Sequence, residues 1–313
     1  MTNHLLGMKD RSRQEIEMLL ARASYWAQKR GVQSDALQGR FVANVFLEPS
    51  TRTRFSFEVA QKRLGAHVLN FAAESSSTTK GETVYDTLKT LEAMGVEAAV
   101  IRTSENGLLD TLANQVNLTI VNAGDGTNEH PTQCLLDLLT IKQHFNRIQG
   151  LKIAIIGDLK HSRVFGSHLH ALPKLGAELM VAGPEALMRD PKELPAGTKM
   201  VDVDEAVRTA DVVMMLRIQL ERHAGTLPMS KEEYHQAYGL TVQRAAEMKP
   251  NAVIMHPAPF NRDVEIASEL IESEKSLIFT QVANGVAVRM AVLENLLSGG
   301  EKQWESSFKT ANF

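Results

Sequence analysis

The sequence predicts an α/β protein of two domains, each a parallel sheet flanked by helices, joined by long interdomain helices. Three observations carry this. The chain has 313 residues, more than one hydrophobic core ordinarily organises, so two domains of ordinary size are expected. Short apolar runs rich in β-branched residues alternate with stretches of helical spacing, and strand, helix, strand in repeated order gives parallel sheets covered on both faces. A second series of such units begins near Gly150, where the domain junction is expected.

In chain order, the first series has strand candidates FVANVFL (41–47), HVLNFA (67–72), EAAVIRT (97–103) and LTIVNA (118–123). Between them, residues 55–64 and 82–94 have helical spacing and are stopped by Gly65 and Gly95, glycine just past the last turn being the usual stop signal. Pro131 to Phe145 forms a long helix. The second series comprises LKIAIIGD (151–158), AELMVAG (177–183), DVVMMLR (211–217) and NAVIMHP (251–257). The segment NGVAVRMAVLENLL (284–297) is helical with no strand after it, so it is free to pack back on the first domain. The expected domains are therefore 1–149, completed by 284–313, and 150–283. The polar loops AAESSSTTKGE (72–82) and RIQLERHAGTLPMS (217–230) are candidate mobile lids.

Composition excludes several classes of function. Hydrophobic residues at 43% and charged residues at 23% are globular proportions, and no run approaches the ~18 apolar residues of a membrane span. The N-terminal MTNHLLGMKDRSRQE lacks the apolar core of a secretory signal, which points to the cytoplasm. The single cysteine, Cys134, excludes an intramolecular disulfide and a cysteine-rich zinc site. No cofactor and no metal are expected. A net charge of −3 and a pI near 6.4 argue against nucleic-acid binding. Local positive charge therefore needs a local cause.

That cause is sought beyond the carboxyl ends of the strands, where open parallel sheets bind ligands. The strand ends deliver Ser50 to Arg54, Arg102, the GDGTNEHPTQ loop, Asp158 to Arg163, Arg217 to Arg222, and His256 to Pro259. In STRTR, Ser50 is a good N-cap and Thr51 to Thr53 the first helical turn. Free amides, the positive helix end, the hydroxyls and the Arg52 fork together make a phosphate cradle. Arg54, four residues before Glu58, is explained by pairing with it. In HPTQ, Pro131 suits the first helical position, leaving His130 as cap and Gln133 in the first turn. A histidine at a helix N-terminus tends to be neutral and can donate one hydrogen bond to a carbonyl oxygen. Cys134 beside it reads as a small packed residue. Arg102, with Arg52, Thr53, His130 and Gln133, would surround a small anion carrying a phosphate and a carbonyl, an oxyanion-hole arrangement.

In the second domain, GDLKHSR (157–163) occupies the place of a dinucleotide fingerprint but lacks its second and third glycines, which disfavours nicotinamide binding. Arg163 and Arg217 are guanidinium groups suited to carboxylates, so together they suggest a substrate with two acidic groups; interdomain salt bridges are the alternative for either. HPAP (256–259) has few amide donors and exposes carbonyl oxygens that suit a substrate NH2.

STRTRFSFE, KGET, HPTQ, DLKHSR, RIQxER and HPAP, in this order, resemble the aspartate carbamoyltransferase family, and the resemblance covers nearly the whole chain. Ornithine carbamoyltransferases resemble it in fold but carry an HCLP-type motif where this chain has HPAP. The resemblance implies transfer of a carbamoyl group from carbamoyl phosphate to L-aspartate, the committed step of pyrimidine synthesis. It implies that Ser50, Thr51, Arg52 and Thr53 hold the phosphate and that Thr53, Arg102 and His130 polarise the carbamoyl oxygen. Gln133 and the backbone at Ala258 and Pro259 would hold the carbamoyl amide, and Lys80, Arg163, Arg217 and Gln219 the aspartate. Glu48 would bridge to Arg163 and Arg222 on domain closure. The resemblance further implies a homotrimer in which the SSSTTKGE loop, with Lys80 and either Ser76 or Ser77, enters the neighbouring subunit's site. Regulatory or dihydroorotase chains are conceivable partners. A carbamoyltransferase for another amino acid and a non-catalytic binding homologue are the competing readings.

Overall fold

The computed structural model describes residues 4–72, 82–218 and 229–298. The chain divides into two compact units, one of Met1–Leu135 with the chain from Ala283 onward, the other of Leu136–Val282.

The first unit contains a parallel sheet of β1 (Phe41–Phe46), β2 (His67–Ala72), β3 (Ala98–Thr103) and β4 (Thr119–Asp125) in the order β2-β1-β3-β4. Its helices are α1 (Arg13–Gln28), α2 (Thr51–Arg63), α3 (Val84–Ala93) and α4 (Leu108–Ala113), and α5 (Pro131–Phe145) begins there. The second unit has β5 (Lys152–Ile156), β6 (Glu178–Ala182), β7 (Lys199–Met200), β8 (Val212–Met215) and β9 (Val253–Met255), all parallel, in the order β7-β6-β5-β8-β9. With them are α6 (Arg163–Lys174), α7 (Val203–Thr209), α8 (Lys231–Tyr238) and α9 (Val242–Ala246). The helix α10 (Ile278–Leu297) starts in the second unit and ends in the first. Among the described residues, no helix is long and apolar enough to cross a membrane.

All eight expected strands are present, within two residues at most ends, because buried parallel strands read as continuous apolar runs. The two-residue β7 has both residues exposed and so carries no such run. The last helix begins at Ile278, ahead of the expected 284.

The strands build the cores from alternate positions. In the first unit Ala43, Val45, Ala99, Ile101 and Ile120 meet Leu88, Leu109 and Leu112 of the helices. In the second, Ala154, Ile156, Met180, Val213, Met215 and Ile254 meet Val203, Ala206, Val207 and Ala245. One buried polar contact fixes α2 on β1. Asn44 and Gln61 exchange amide hydrogen bonds, with Asn44 Nδ2 2.9 Å from Gln61 Oε1 and Gln61 Nε2 2.8 Å from Asn44 Oδ1, both residues at most 1% exposed. At the other end of the chain, Glu294 of α10 accepts from Arg22 Nε and Trp26 Nε1 of α1, each at 2.8 Å.

A single Gln61→Leu substitution leaves the buried Asn44 Oδ1 without its donor, while Nδ2 keeps Asn70 Oδ1 at 3.1 Å, and the expected loss of stability in urea unfolding is about 1–3 kcal/mol. The double variant Asn44→Leu/Gln61→Leu should lose less than the sum of the two single changes, because neither polar group then remains buried alone.

Candidate active site

Strand order selects one place in each sheet. From β1 the chain goes outward to β2 and then returns to β3 on the other side of β1. The loops after β1 and β3 therefore diverge, which opens a crevice at their carboxyl ends. In the second sheet the same reversal falls between β5 and β8. Four of the six regions singled out in the sequence leave the sheets at these two points.

In the first unit, the Leu47 amide donates to the Arg102 carbonyl at 2.9 Å, so the STRTR loop and Arg102 leave side by side. Ser50 is the N-cap of α2 in extended conformation, φ −159° and ψ 94°, but its hydroxyl makes no capping hydrogen bond. The first-turn amides are thus not closed by their own cap, unlike α1, α3 and α8, where a capping box closes the turn. Thr51 and Arg52 are exposed and Thr53 is buried, so one turn presents both accessible and enclosed donors to an anion. Arg54 is not the main partner of Glu58. Lys62 Nζ lies 2.7 Å from Glu58 Oε1, and this hydrogen bond foremost holds the Glu58 carboxyl below its ordinary value.

Arg102 is held in place from two sides. Its Nη1 is 3.4 Å from the Ala123 carbonyl, and its Nε is 3.4 Å from Glu48 Oε2. Glu48, expected to bridge to Arg163 and Arg222, thus faces Arg102 within its own unit. His130 and Gln133 share the start of α5. The His130 carbonyl accepts from the amides of Gln133 at 3.1 Å and Cys134 at 3.2 Å, so His130 is the cap position, and both side chains are buried.

The support of His130 was not anticipated from the sequence. Glu129 Oε2 accepts the Met8 amide at 2.6 Å, and Asn122 Nδ2 donates to the Leu6 carbonyl at 2.6 Å. The N-terminal segment is thereby strapped along the loop that carries His130. The only sequence signal for this was a carboxylate directly before the histidine.

In the second unit the switch point is a close approach. Gly157 directly follows β5 with φ 129°, and a Cβ there would sit 3.0 Å from the Leu216 carbonyl, so only glycine lets the two loops run together. Beyond it, Asp158 Oδ1 accepts the His161 amide at 3.1 Å and lies 3.0 Å from His161 Nδ1. Ser162 caps α6, its hydroxyl accepting from the Phe165 amide at 3.1 Å, and Arg163 is the first helical residue. The loop folds on its own side chains rather than offering the glycine-lined turn a pyrophosphate needs. Arg217 follows β8, and its Nε is buried without a hydrogen-bond partner among the described residues. A buried guanidinium donor in that state suits a carboxylate acceptor.

After β9, the Ala258 amide donates to His256 Nδ1 at 2.9 Å, and Ala258 has φ 52°. That conformation costs a residue with a Cβ about 1–3 kcal/mol and persists only where surrounding contacts impose it. The Ala258–Pro259 peptide bond is cis. Nearby, Tyr234 is enclosed. Burial, and then the Glu265 charge, push its phenol far above the ordinary value, so it remains neutral. The positions Ser76, Ser77, Lys80, Gln219 and Arg222 lie outside the described residues.

Two donor-rich crevices result. One gathers helix amides, hydroxyls, a histidine and arginines, the donors an anion site requires. At the other, Arg163 and Arg217 supply guanidinium groups, whose geometry suits carboxylates. Among the described residues no group of histidine, cysteine, aspartate or glutamate could hold a metal ion.

Comparison with known proteins identifies two family domains in the chain. Residues 3–143 match the family model described as the carbamoyl-P binding domain of aspartate/ornithine carbamoyltransferase, and residues 149–296 match its Asp/Orn binding domain. The chain is also similar to crystal structures of aspartate transcarbamoylase from Trypanosoma cruzi. For the complex with carbamoyl phosphate and aspartate, identity is 30% and the TM-score 0.84, over 94% of this chain and 96% of that one. For the complex with carbamoyl aspartate and phosphate the values are 31% and 0.85, over 94% and 95%. For the complex with N-(phosphonacetyl)-L-aspartic acid they are 31% and 0.82, over 94% of both chains.

The anion site can be tested with inorganic phosphate alone. Arg52→Ala should weaken phosphate binding in calorimetric titration by about ten- to a hundredfold, the worth of a charged hydrogen bond, with the circular dichroism spectrum unchanged. Undiminished binding would place the anion site elsewhere.

Proposed function

The chain belongs to the aspartate/ornithine carbamoyltransferase family, and we infer from its two crevices how its residues share the reaction. The enzyme transfers the carbamoyl group of carbamoyl phosphate to the amino group of L-aspartate, giving N-carbamoyl-L-aspartate and phosphate for pyrimidine synthesis. The domain comprising 1–149 and 284–313 binds carbamoyl phosphate, and the domain 150–283 binds aspartate. The observation that carries this reading is that the STRTR turn and Arg102 leave the first sheet, and the loops with Arg163 and Arg217 the second, at the switch point of each sheet.

Carbamoyl phosphate sits with its phosphate on the first turn of α2, held by the amides, Ser50, Thr51, Arg52 and Thr53. Thr53, Arg102 and His130 donate to the carbamoyl oxygen, while Gln133 and the backbone carbonyls at Ala258 and Pro259 take the carbamoyl NH2. Aspartate is bound through its carboxylates by Arg163, Arg217, Lys80 and Gln219. Its neutral amine attacks the carbamoyl carbon, and negative charge develops on the carbonyl oxygen where the three donors wait. One such donor is worth roughly 3 kcal/mol in the transition state. The C–O bond to phosphate then breaks. The departing phosphate takes the amine proton, so no side chain has to act as general base, and the rate comes from positioning and charge stabilisation. Glu48, with Arg163 and Arg222, acts in domain closure.

The enzyme is a cytoplasmic homotrimer in which Ser76 and Lys80 of one subunit complete the site of the next, with regulatory or dihydroorotase chains as further partners of some assemblies. Its resemblance to the family supports this, as do the apolar side chains of Phe55 and Val59, which are exposed one turn apart on α2.

Ornithine is the acceptor that most closely competes with this reading, but at the second switch point its cationic side chain would meet Arg163 and Arg217, while the Asp158 carboxylate there is engaged by His161. Phosphate release from carbamoyl phosphate should therefore depend on L-aspartate and be absent with L-ornithine; the reverse pattern would reassign the acceptor. Arg217→Ala should leave carbamoyl-phosphate binding intact and raise KM for aspartate by about a hundredfold, by loss of one charged, bidentate contact. An unchanged aspartate profile would remove Arg217 from the acceptor site.

A further inference from the structure

Beneath the HPAP turn of the second unit runs a chain of buried polar groups that no step of the transfer uses. Asp137, His256, Glu265 and Gln281 are each at most 1% exposed. Gln281 Nε2 donates to Asp137 Oδ1 at 2.7 Å, and Gln281 Oε1 accepts the His256 backbone amide at 2.9 Å. The His256 main chain is therefore anchored to α5 and α10.

The His256 ring is constrained at both nitrogens. Nδ1 accepts the Ala258 amide at 2.9 Å, so in the neutral ring the proton is on Nε2. Nε2 faces Glu265 Oε1 at 3.3 Å, and the Phe260 ring stands edge-on to the imidazole at 5.8 Å. Glu265 also accepts the backbone amide of Asn261 and lies 3.3 Å from its Nδ2. That Nδ2 donates to the Ile218 carbonyl at 2.8 Å, and Ile218 directly follows Arg217.

We propose that Glu265 and His256 form a positioning pair. The carboxylate selects the imidazole tautomer that holds the Ala258 amide and so imposes the turn presenting the Ala258 and Pro259 carbonyls. Through Asn261 it also ties that turn to the strand end carrying Arg217. The pair thus sets recognition of the carbamoyl NH2 without touching it. This rests on the reading above, in which those two carbonyls receive the carbamoyl amide. A carboxylate placed for packing alone would not need to meet the ring nitrogen opposite the one that holds the turn. The positive φ of Ala258 is the strain that such a hold maintains.

Two variants of similar size separate position from bulk. In His256→Asn the side-chain oxygen falls where Nδ1 was and can still accept the Ala258 amide. His256→Gln puts its polar end where Nε2 was and leaves that amide without its acceptor. The readout is the preference, in competitive binding, for carbamoyl phosphate over acetyl phosphate, which carries a methyl group in place of the NH2. Inorganic phosphate affinity, set in the first unit, serves as the folding control. His256→Gln should lower the preference at least about tenfold, the worth of roughly one well-made hydrogen bond, while His256→Asn keeps it within about threefold and both retain phosphate affinity. Equal preference in the two variants would overturn the positioning role. A wild-type enzyme that did not discriminate the two phosphates would overturn it by a different route, showing that the Ala258 and Pro259 carbonyls do not receive the amide at all.

Discussion

A parallel sheet sends its chain out at the carboxyl ends of its strands, and everything else in this protein depends on where the winding of each sheet reverses. Between β1 and β3, and again between β5 and β8, successive connections run to opposite sides, so two loops part and leave backbone donors and side chains facing a common opening. The same constraint operates once in each unit, with different residues supplied to it. In the first unit the opening receives a helix N-terminus whose cap hydroxyl is not engaged, with Arg102 beside it. In the second, the loops that carry Arg163 and Arg217 leave the sheet side by side, where Gly157 allows close approach to Leu216.

A fold of this type tolerates many loop conformations, and what narrows them here is buried hydrogen bonding over long sequence separations. Asn44 with Gln61 seats α2 on β1. Glu129 and Asn122 bind the N-terminal segment beside His130. Gln281 links Asp137 to His256. A buried amide or carboxylate without a partner is costly, so each contact admits essentially one arrangement. Apolar packing decides that the sheets form, and these polar contacts decide where the functional side chains come to rest.

The chemistry asks little of the protein in the way of proton transfer, since the leaving phosphate can accept the proton of the attacking amine. The demand falls on charge and geometry, which explains why the candidate residues are arginines, hydroxyls and helix amides rather than a histidine–carboxylate couple of the kind that activates a nucleophile. One buried carboxylate–histidine pair, Glu265 with His256, lies beneath the turn at Ala258.

Eight strands, the long helix from Pro131 and the cap position of Ser50 were legible in the sequence, because apolar runs, helical periodicity and stop residues are local signals. So were the arginines, hydroxyls and HPAP as candidate groups, through their chemistry and their resemblance to one family. Strand order was not legible, since nothing in β1 or β3 taken singly says that they are neighbours. The two-residue β7 left no apolar signature. The pairing of Glu48 with Arg102 and the strap over Glu129 were likewise hidden, because each joins groups whose meeting depends on how the sheet is assembled. Local sequence thus dictates which chemical groups stand at the strand ends. Which of those ends share a crevice was settled in three dimensions, because a periodic signal reports a residue's own face and depth, whereas neighbourhood in a parallel sheet is set by the path of the whole chain.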